Sequence, residues 1–226
     1  MAHIRELIPI NTDSSRMLAS IGCNINALPL VNADIEYTLY RASQESLENL
    51  DFRTLSLIVH WIDIHGSIVN IPRLKRFLRT SNTETQQLWG AIAQWKQEQK
   101  KWASLIRLNH PNQRWDLLPA GTDFQISRKG EDPRFIDTKL RIPNGLLPIR
   151  EGDVLSLKYL IQHHPTVANR VRFGVCLRAD LWTHLEIEPN LSVAQLAKRV
   201  GCAFASAWEV KRDFDLLMVP GLHTAS

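Results

Sequence analysis

Histidines, cysteines and carboxylate–lysine pairs are the side chains of this sequence whose types could do chemistry, and their spacing limits what each can do. His60 and His65 stand apart from any His-Glu-x-x-His pattern, which would put two imidazoles and a general base on one helical face. His163 and His164 precede Pro165 at a predicted helix end, where interaction with the helix C-terminus accounts for them. Cys23, Cys176 and Cys202 are odd in number and widely spaced, without a Cys-x-x-Cys pair for zinc or redox work, and read as small buried thiols. Neither Gly-x-Gly-x-x-Gly nor Gly-x-x-x-x-Gly-Lys-Ser/Thr occurs, so nucleotide hydrolysis by those phosphate-cradling routes is excluded. One acidic constellation remains. Asp123 on one predicted strand and Asp137-Thr138-Lys139 leading into the next have the form of a nuclease site, with two carboxylates to hold Mg²⁺ and a lysine to orient the water. Ordinary exposed strand residues are the plainer account, and a metal-dependent nuclease is the remote alternative. The expectation is a protein without catalytic residues, metal or cofactor.

A polyanion is the better target for the chemistry present. The formal net charge is only +4, but residues 1–70 carry 4 basic and 8 acidic side chains, residues 71–115 carry 9 and 2, and residues 116–226 carry 14 and 13. The surplus thus sits in Arg73, Lys75, Arg76, Arg79, Lys96, Lys100, Lys101, Arg107 and Arg114. Such a block is a footprint for phosphate, or more plainly a solvated helix face.

The elements that must position these residues are mostly helical. A chain of 226 residues with 44% hydrophobic side chains and seven Trp can bury a sizeable core. Residues 1–32 read as an irregular N-terminal arm. Residues 33–115 read as a helical region. Asn49 and Asp51 stop one helix and cap the next, Leu55, Ile58, Val59 and Ile62 fall at helical spacing, and Gly66 ends that run. Pro72 opens a further helix, and Ser81 to Thr85 supplies caps for a long one reaching about Leu108, with Leu88, Ile92, Trp95, Gln99 and Trp102 along one stripe. Residues 116–150 read as a small antiparallel β insertion, because Asp123–Ile126 and Lys139–Ile142 alternate polar and apolar between glycines and prolines. In residues 151–226, Asp153 is expected to cap a helix that Pro165 stops. No apolar run is long enough for a signal peptide or a membrane span, which places the chain in the cytoplasm, away from membranes.

The C-terminal region carries the most specific pattern. Ser192 is placed to cap a short helix with Leu196, Ala197 and Val200 on its apolar face, and Gly201 supplies the turn. On the helix that follows, Ala203, Ala207, Val210, Phe214 and Leu217 fall on one stripe, facing Leu181 and Leu185 of the helix before. This is the pattern of a helix-turn-helix. Eight residues beyond Met218 are too few for a β-hairpin wing, so the unit is expected to be wingless. Ser206, Trp208, Lys211 and Arg212 are the candidate readers of duplex DNA, with phosphate contacts from Arg73, Arg76, Lys96, Lys100 and Lys101. Phe204 and Trp208 would serve a protein partner nearly as well, which makes a protein-interaction module the alternative.

Leu118–Ile126 followed by Gly130–Phe135, together with Cys202–Val210, resemble bacterial helix-turn-helix proteins of the antitoxin type that are paired with nucleotidyltransferase toxins in type IV abortive-infection modules. The resemblance spans residues 50–217 and implies a regulator of transcription with a toxin as protein partner; it assigns no functional residue. The expectation is therefore an α+β, predominantly α-helical protein ending in a wingless helix-turn-helix, binding double-stranded DNA, and compatible with a homodimer.

Overall fold

The computed structural model describes residues 14–108 and 112–218. Over these residues the protein is predominantly helical with one very small sheet, and it divides into two compact units, residues 14–155 and residues 156–218.

The N-terminal unit begins inside what the sequence reads as an irregular arm. Residues 1–13 lie outside the described residues, but Ser14–Ser20 forms α1, which buries Met17 and Leu18. The Ile21 carbonyl just beyond it accepts a hydrogen bond of 2.7 Å from the Trp61 indole. Local capping then starts each helix where the sequence asks for it. Asp34 accepts from the Tyr37 amide to open α2 (Ile35–Glu48), and Asp51 accepts from the Thr54 amide to open α3 (Phe52–His65). Asn70 caps α4 (Ile71–Leu78), with Pro72 in its first turn, and Asn82 caps α5 (Thr83–Trp95). Trp61, Trp89 and Trp102 are wholly buried, as are Leu39, Ile58, Ile62, Leu74 and Ile92.

The long helix expected to reach Leu108 is not formed. α5 ends at Trp95, a 3₁₀ turn occupies Lys100–Trp102, and a short helix α6 follows over Ala103–Ile106. The break returns Trp102 to the core, whereas a continuous helix would carry its ring about 10 Å farther along the axis. Gly66 makes room, since a Cβ there would lie 3.3 Å from the Trp102 ring, whereas one on Gly90 would only be in ordinary contact, 3.8 Å from the Ile106 carbonyl of α6.

The expected antiparallel insertion is likewise replaced. Strands β1 (Trp115–Asp116) and β2 (Leu140–Arg141) pair in parallel, with Trp115 opposite Leu140. Between them Thr122–Lys129 forms helix α7, which takes in Asp123–Ile126, read from sequence as a strand. The two corrections have one cause, since parallel strands need a long crossover and that connection is helical here. Asp153, expected to cap a helix, instead binds Arg53 through two 2.6 Å hydrogen bonds within this unit, and Ser156 caps α8 (Leu157–His163).

The C-terminal unit continues with α9 (Pro165–Phe173), α10 (Leu177–Ile187), α11 (Val193–Val200) and α12 (Phe204–Leu217). Arg170 of α9, nearly wholly buried, is neutralised by Asp180 of α10 at 3.0 Å, and Asn169 donates to Thr183 of α10. Leu181, Trp182 and Leu185 of α10 then pack with Leu196, Ala197 and Val200 of α11 and with Ala207, Val210 and Phe214 of α12 into one apolar cluster.

Candidate nucleic-acid interface

The geometry of α11 and α12 follows from a few residues. Ser192 accepts from the Gln195 amide while the Gln195 side chain accepts from the Ser192 amide, a reciprocal capping box that satisfies donors at the start of α11. At its end Gly201 adopts φ 72°, ψ 46°, a left-handed conformation that other residues rarely tolerate. The amides of Gly201 and Cys202 both donate to the Ala197 carbonyl, and Ala203 then opens α12. Small side chains at Ala197 and Ala207, both buried, let the two helices approach. The Trp182 ring meets Phe214 edge-on at 5.1 Å and Phe173 at 5.2 Å, which locks α12 over α10 and α9.

Of the expected core stripe on α12, Ala207, Val210 and Phe214 are buried, but Leu217 is 53% exposed and Ala203 is an exposed cap. At about 100° per residue, the face opposite those three buried side chains is made by Ala205, Trp208, Glu209, Arg212 and Leu216. Trp208 on this face is 47% exposed, and Phe204 (58%) flanks it. Arg212 sits at its centre, with its guanidinium 5.2 Å from the Trp208 ring centroid. Trp208, Lys211 and Arg212, singled out by sequence, line one open groove of about 430 Å³ together with Val193, Asp215 and Leu216. Ser206 is half-buried and on the flank of the helix, outside that lining.

The cations around this face are already engaged. Lys211 donates to Asp215 at 3.0 Å and to the Pro189 carbonyl, Arg212 to Asp213 at 2.8 Å, and Arg178 of α10 to the other Asp213 oxygen at 3.0 Å. Arg199 pairs with Glu188 and Arg172 with Glu186. The Arg212 guanidinium on Asp213, with that of Arg178 beside it, holds the Asp213 carboxyl below the usual carboxylate range. Arg178 and Asp213 were not legible as partners, since only the crossing of α10 and α12 brings them together. Leu216 was legible, one turn beyond Arg212 and two beyond Trp208.

The other candidate residues lie in the N-terminal unit, where they behave differently from one another. Arg73 is turned inward, paired with Asp34 and lying 3.7 Å from the fully buried Glu36. Lys96 pairs with Asp63 and covers the Trp95 ring at 4.0 Å. Lys101 donates to the Ser67 and Val69 carbonyls. Arg76 and Lys100 are exposed, and neither has an ion pair among the described residues, which is also true of Lys75 and Arg79 on and after α4.

The catalytic alternatives lose their scaffolds. Asp123 is in the first turn of α7 rather than on a strand, bonded to Arg141, and Asp137 is exposed in a turn. Among the described residues no group of three or more His, Cys, Asp and Glu is placed to hold a metal ion. His60 and His65 are buried on α3, the latter donating from Nε2 to the Leu155 carbonyl at 2.8 Å, and burial lowers the pKa of both. Cys23 is buried, its thiol pushed up to about 12, which leaves no thiolate for nucleophilic work. Among the described residues no helix is long and apolar enough to cross a membrane. No family model matches the chain, and no curated protein or solved structure is significantly similar to it.

Proposed function

We propose that α10, α11 and α12 act as a helix-turn-helix and that the protein is a DNA-binding transcriptional regulator. The observation that carries this reading is the pair α11–α12: two helices joined at a left-handed Gly201, packed on a third, with the outer face of the second exposed from Phe204 to Leu216. A second helix presented in this way is what enters a major groove. Phosphate contacts are assigned to cations that have no ion pair among the described residues, Arg76 and Lys100 first.

The test is equilibrium binding of the full chain to a pool of random duplexes at low salt, followed by sequencing of the bound fraction. Retention that weakens as salt rises, with enrichment of a common site, is the expected result. No retention of any duplex at low salt, where attraction to phosphate is greatest, overturns the reading.

One observation favours a second reading of the same face. The groove between Val193, Trp208 and Leu216 is apolar, and its two cations are paired within the chain. That is a surface for a protein partner, the toxin of an antitoxin pair being the proposal that follows from the resemblance of Cys202–Val210.

A further inference from the structure

The Arg212 guanidinium has five N–H donors, and its bonds divide them. Its Nε and one Nη2 hydrogen face a single oxygen of Asp213, at 3.2 and 2.8 Å. The remaining edge, formed by Nη1 and the second Nη2 hydrogen, has no hydrogen-bond partner among the described residues. That edge is the fork that matches two acceptors side by side. The side chain is also held in place. Trp208, one turn earlier on the helix, lies under the guanidinium at 5.2 Å, and Asp213 is itself fixed by Arg178 of α10 through its other oxygen. Arg178 and Arg212 share one carboxylate, so this cluster keeps one positive charge, beside the exposed Glu209 on the same face.

Resting on the DNA-binding reading, we propose that Arg212 reads a guanine in the major groove, with Asp213 as its positioning residue and Trp208 as the platform under it. Guanine presents O6 and N7 side by side at the groove edge, the two-acceptor target for the free fork. Lys211 does not do this, because its ammonium is committed to Asp215 and the Pro189 carbonyl and its side chain is 20% exposed, against 52% for Arg212. A guanidinium free to swing would lose side-chain entropy on docking; one already braced loses less.

The experiment is duplex selection from a random pool with the full chain in four forms: unchanged, Arg212→Ala, Arg212→Lys and Asp213→Asn. Amide hydrogen exchange over α11 and α12 checks that each form is folded; Arg212 has a half-exposed side chain, so its replacement leaves protection unchanged. The unchanged protein enriches guanine at a defined position. Arg212→Ala loses that preference alone, by roughly ten- to a hundred-fold, while the rest of the site persists. Arg212→Lys keeps the charge but not the fork, and recovers little of it. Asp213→Asn still binds, with the guanine preference broadened, a readout that a purely structural role would not move. If Arg212→Ala selects the same site with the same guanine preference, this assignment is overturned and the DNA reading stands. If the folded, unchanged protein enriches nothing, both fall together.

Discussion

The two units differ in the exposed surface on which the proposed reading draws. In the N-terminal unit Trp61, Trp89 and Trp102 are wholly buried, and Arg76 and Lys100 point outward without an ion pair among the described residues. In the C-terminal unit Phe204, Trp208, Leu216 and Leu217 are exposed, while Arg170, Arg172, Arg178, Arg199, Lys211 and Arg212 are paired with carboxylates of the same unit. A count of Lys and Arg therefore does not measure available charge. Arg73 and Arg76 lie three residues apart in the same basic block; one is half of a buried ion pair and the other is solvated. What the proposed helix-turn-helix offers a ligand is a braced fork and apolar surface, and what the N-terminal unit offers is bare charge.

The sharpest way to break that contrast is at Arg73. Arg73→Ala removes the guanidinium that pairs with Asp34 and lies beside the fully buried Glu36. Removing one partner of a buried pair costs about 3–5 kcal/mol, whereas an exposed site such as Arg76→Ala stays within about 0.5 kcal/mol. Denaturant unfolding of the two variants measures both. Equal midpoints would mean that Arg73 is as free as Arg76, and that the basic block does not divide into buried and solvated cations.

Phe214→Ala tests the other unit. It removes the ring that meets Trp182 and leaves a hole in the cluster behind α12, at a cost of about 3–5 kcal/mol. Hydrogen exchange is expected to rise across α10–α12 while protection at Trp61, Trp89 and their neighbours persists. Loss of protection in both units at once would contradict their division into separate compact bodies.

Much of this was legible because it is local. Asp51 and Ser192 cap helices, Gly66 and Gly201 end them, and Leu196, Ala197, Val200, Ala207, Val210 and Phe214 are buried as their spacing requires. What was not legible depends on distant parts of the chain. Nothing near Trp95 announces that α5 stops there; the reason is the burial of Trp102 against Gly66. Gly121 and Gly130, both at positive φ, bracket α7 and were read as punctuation around a strand, because four alternating residues fit either period. In the candidate interface the outer face of α12 follows from its period, but the pairing of Arg178 with Asp213 does not, and neither does the inward turn of Arg73.

Acid is expected to act on the N-terminal unit more gently. Burial holds His60 and His65 neutral, with pKa values below the ordinary 6.5; around His60 the opposing pull of Asp153 and Asp63 is smaller than burial, and Arg134 acts with it. The unfolded chain thus binds protons that the folded unit refuses. Stability is whole above about pH 6.5 and falls as pH drops through that value toward the lower folded ones. The Arg53–Asp153 pair acts later, since the Asp153 carboxyl, held down by Arg53, keeps its contribution above its ordinary 3.8 and loses it only as pH falls through the lower folded value. Between pH 7 and 5 the N-terminal unit is therefore expected to lose exchange protection around α3, whereas Glu188 and Asp213 of the C-terminal unit, held below their ordinary values, titrate only in more acid solution. Unchanged protection of α3 over that range would overturn this expectation.

The smallest effect on the fold concerns the bare charge itself. Arg76→Glu with Lys100→Glu removes two exposed cations and is expected to leave unfolding within about 0.5 kcal/mol of the unchanged chain. Base preference should not change either, since contacts to phosphate carry no direct sequence information. The salt dependence of duplex binding should change. Each phosphate that is no longer neutralised takes about one unit from the slope of log K against log salt, and the fall in affinity should be similar for every sequence. Neutralising paired cations gives the opposite pattern: Lys211→Ala, which also frees Asp215, is expected to shift the slope by less than either exposed cation. A slope that follows Lys211 and ignores Arg76 and Lys100 would mean that the pairs in the C-terminal unit open on binding, and that the surplus charge of the N-terminal unit is solvated for its own sake.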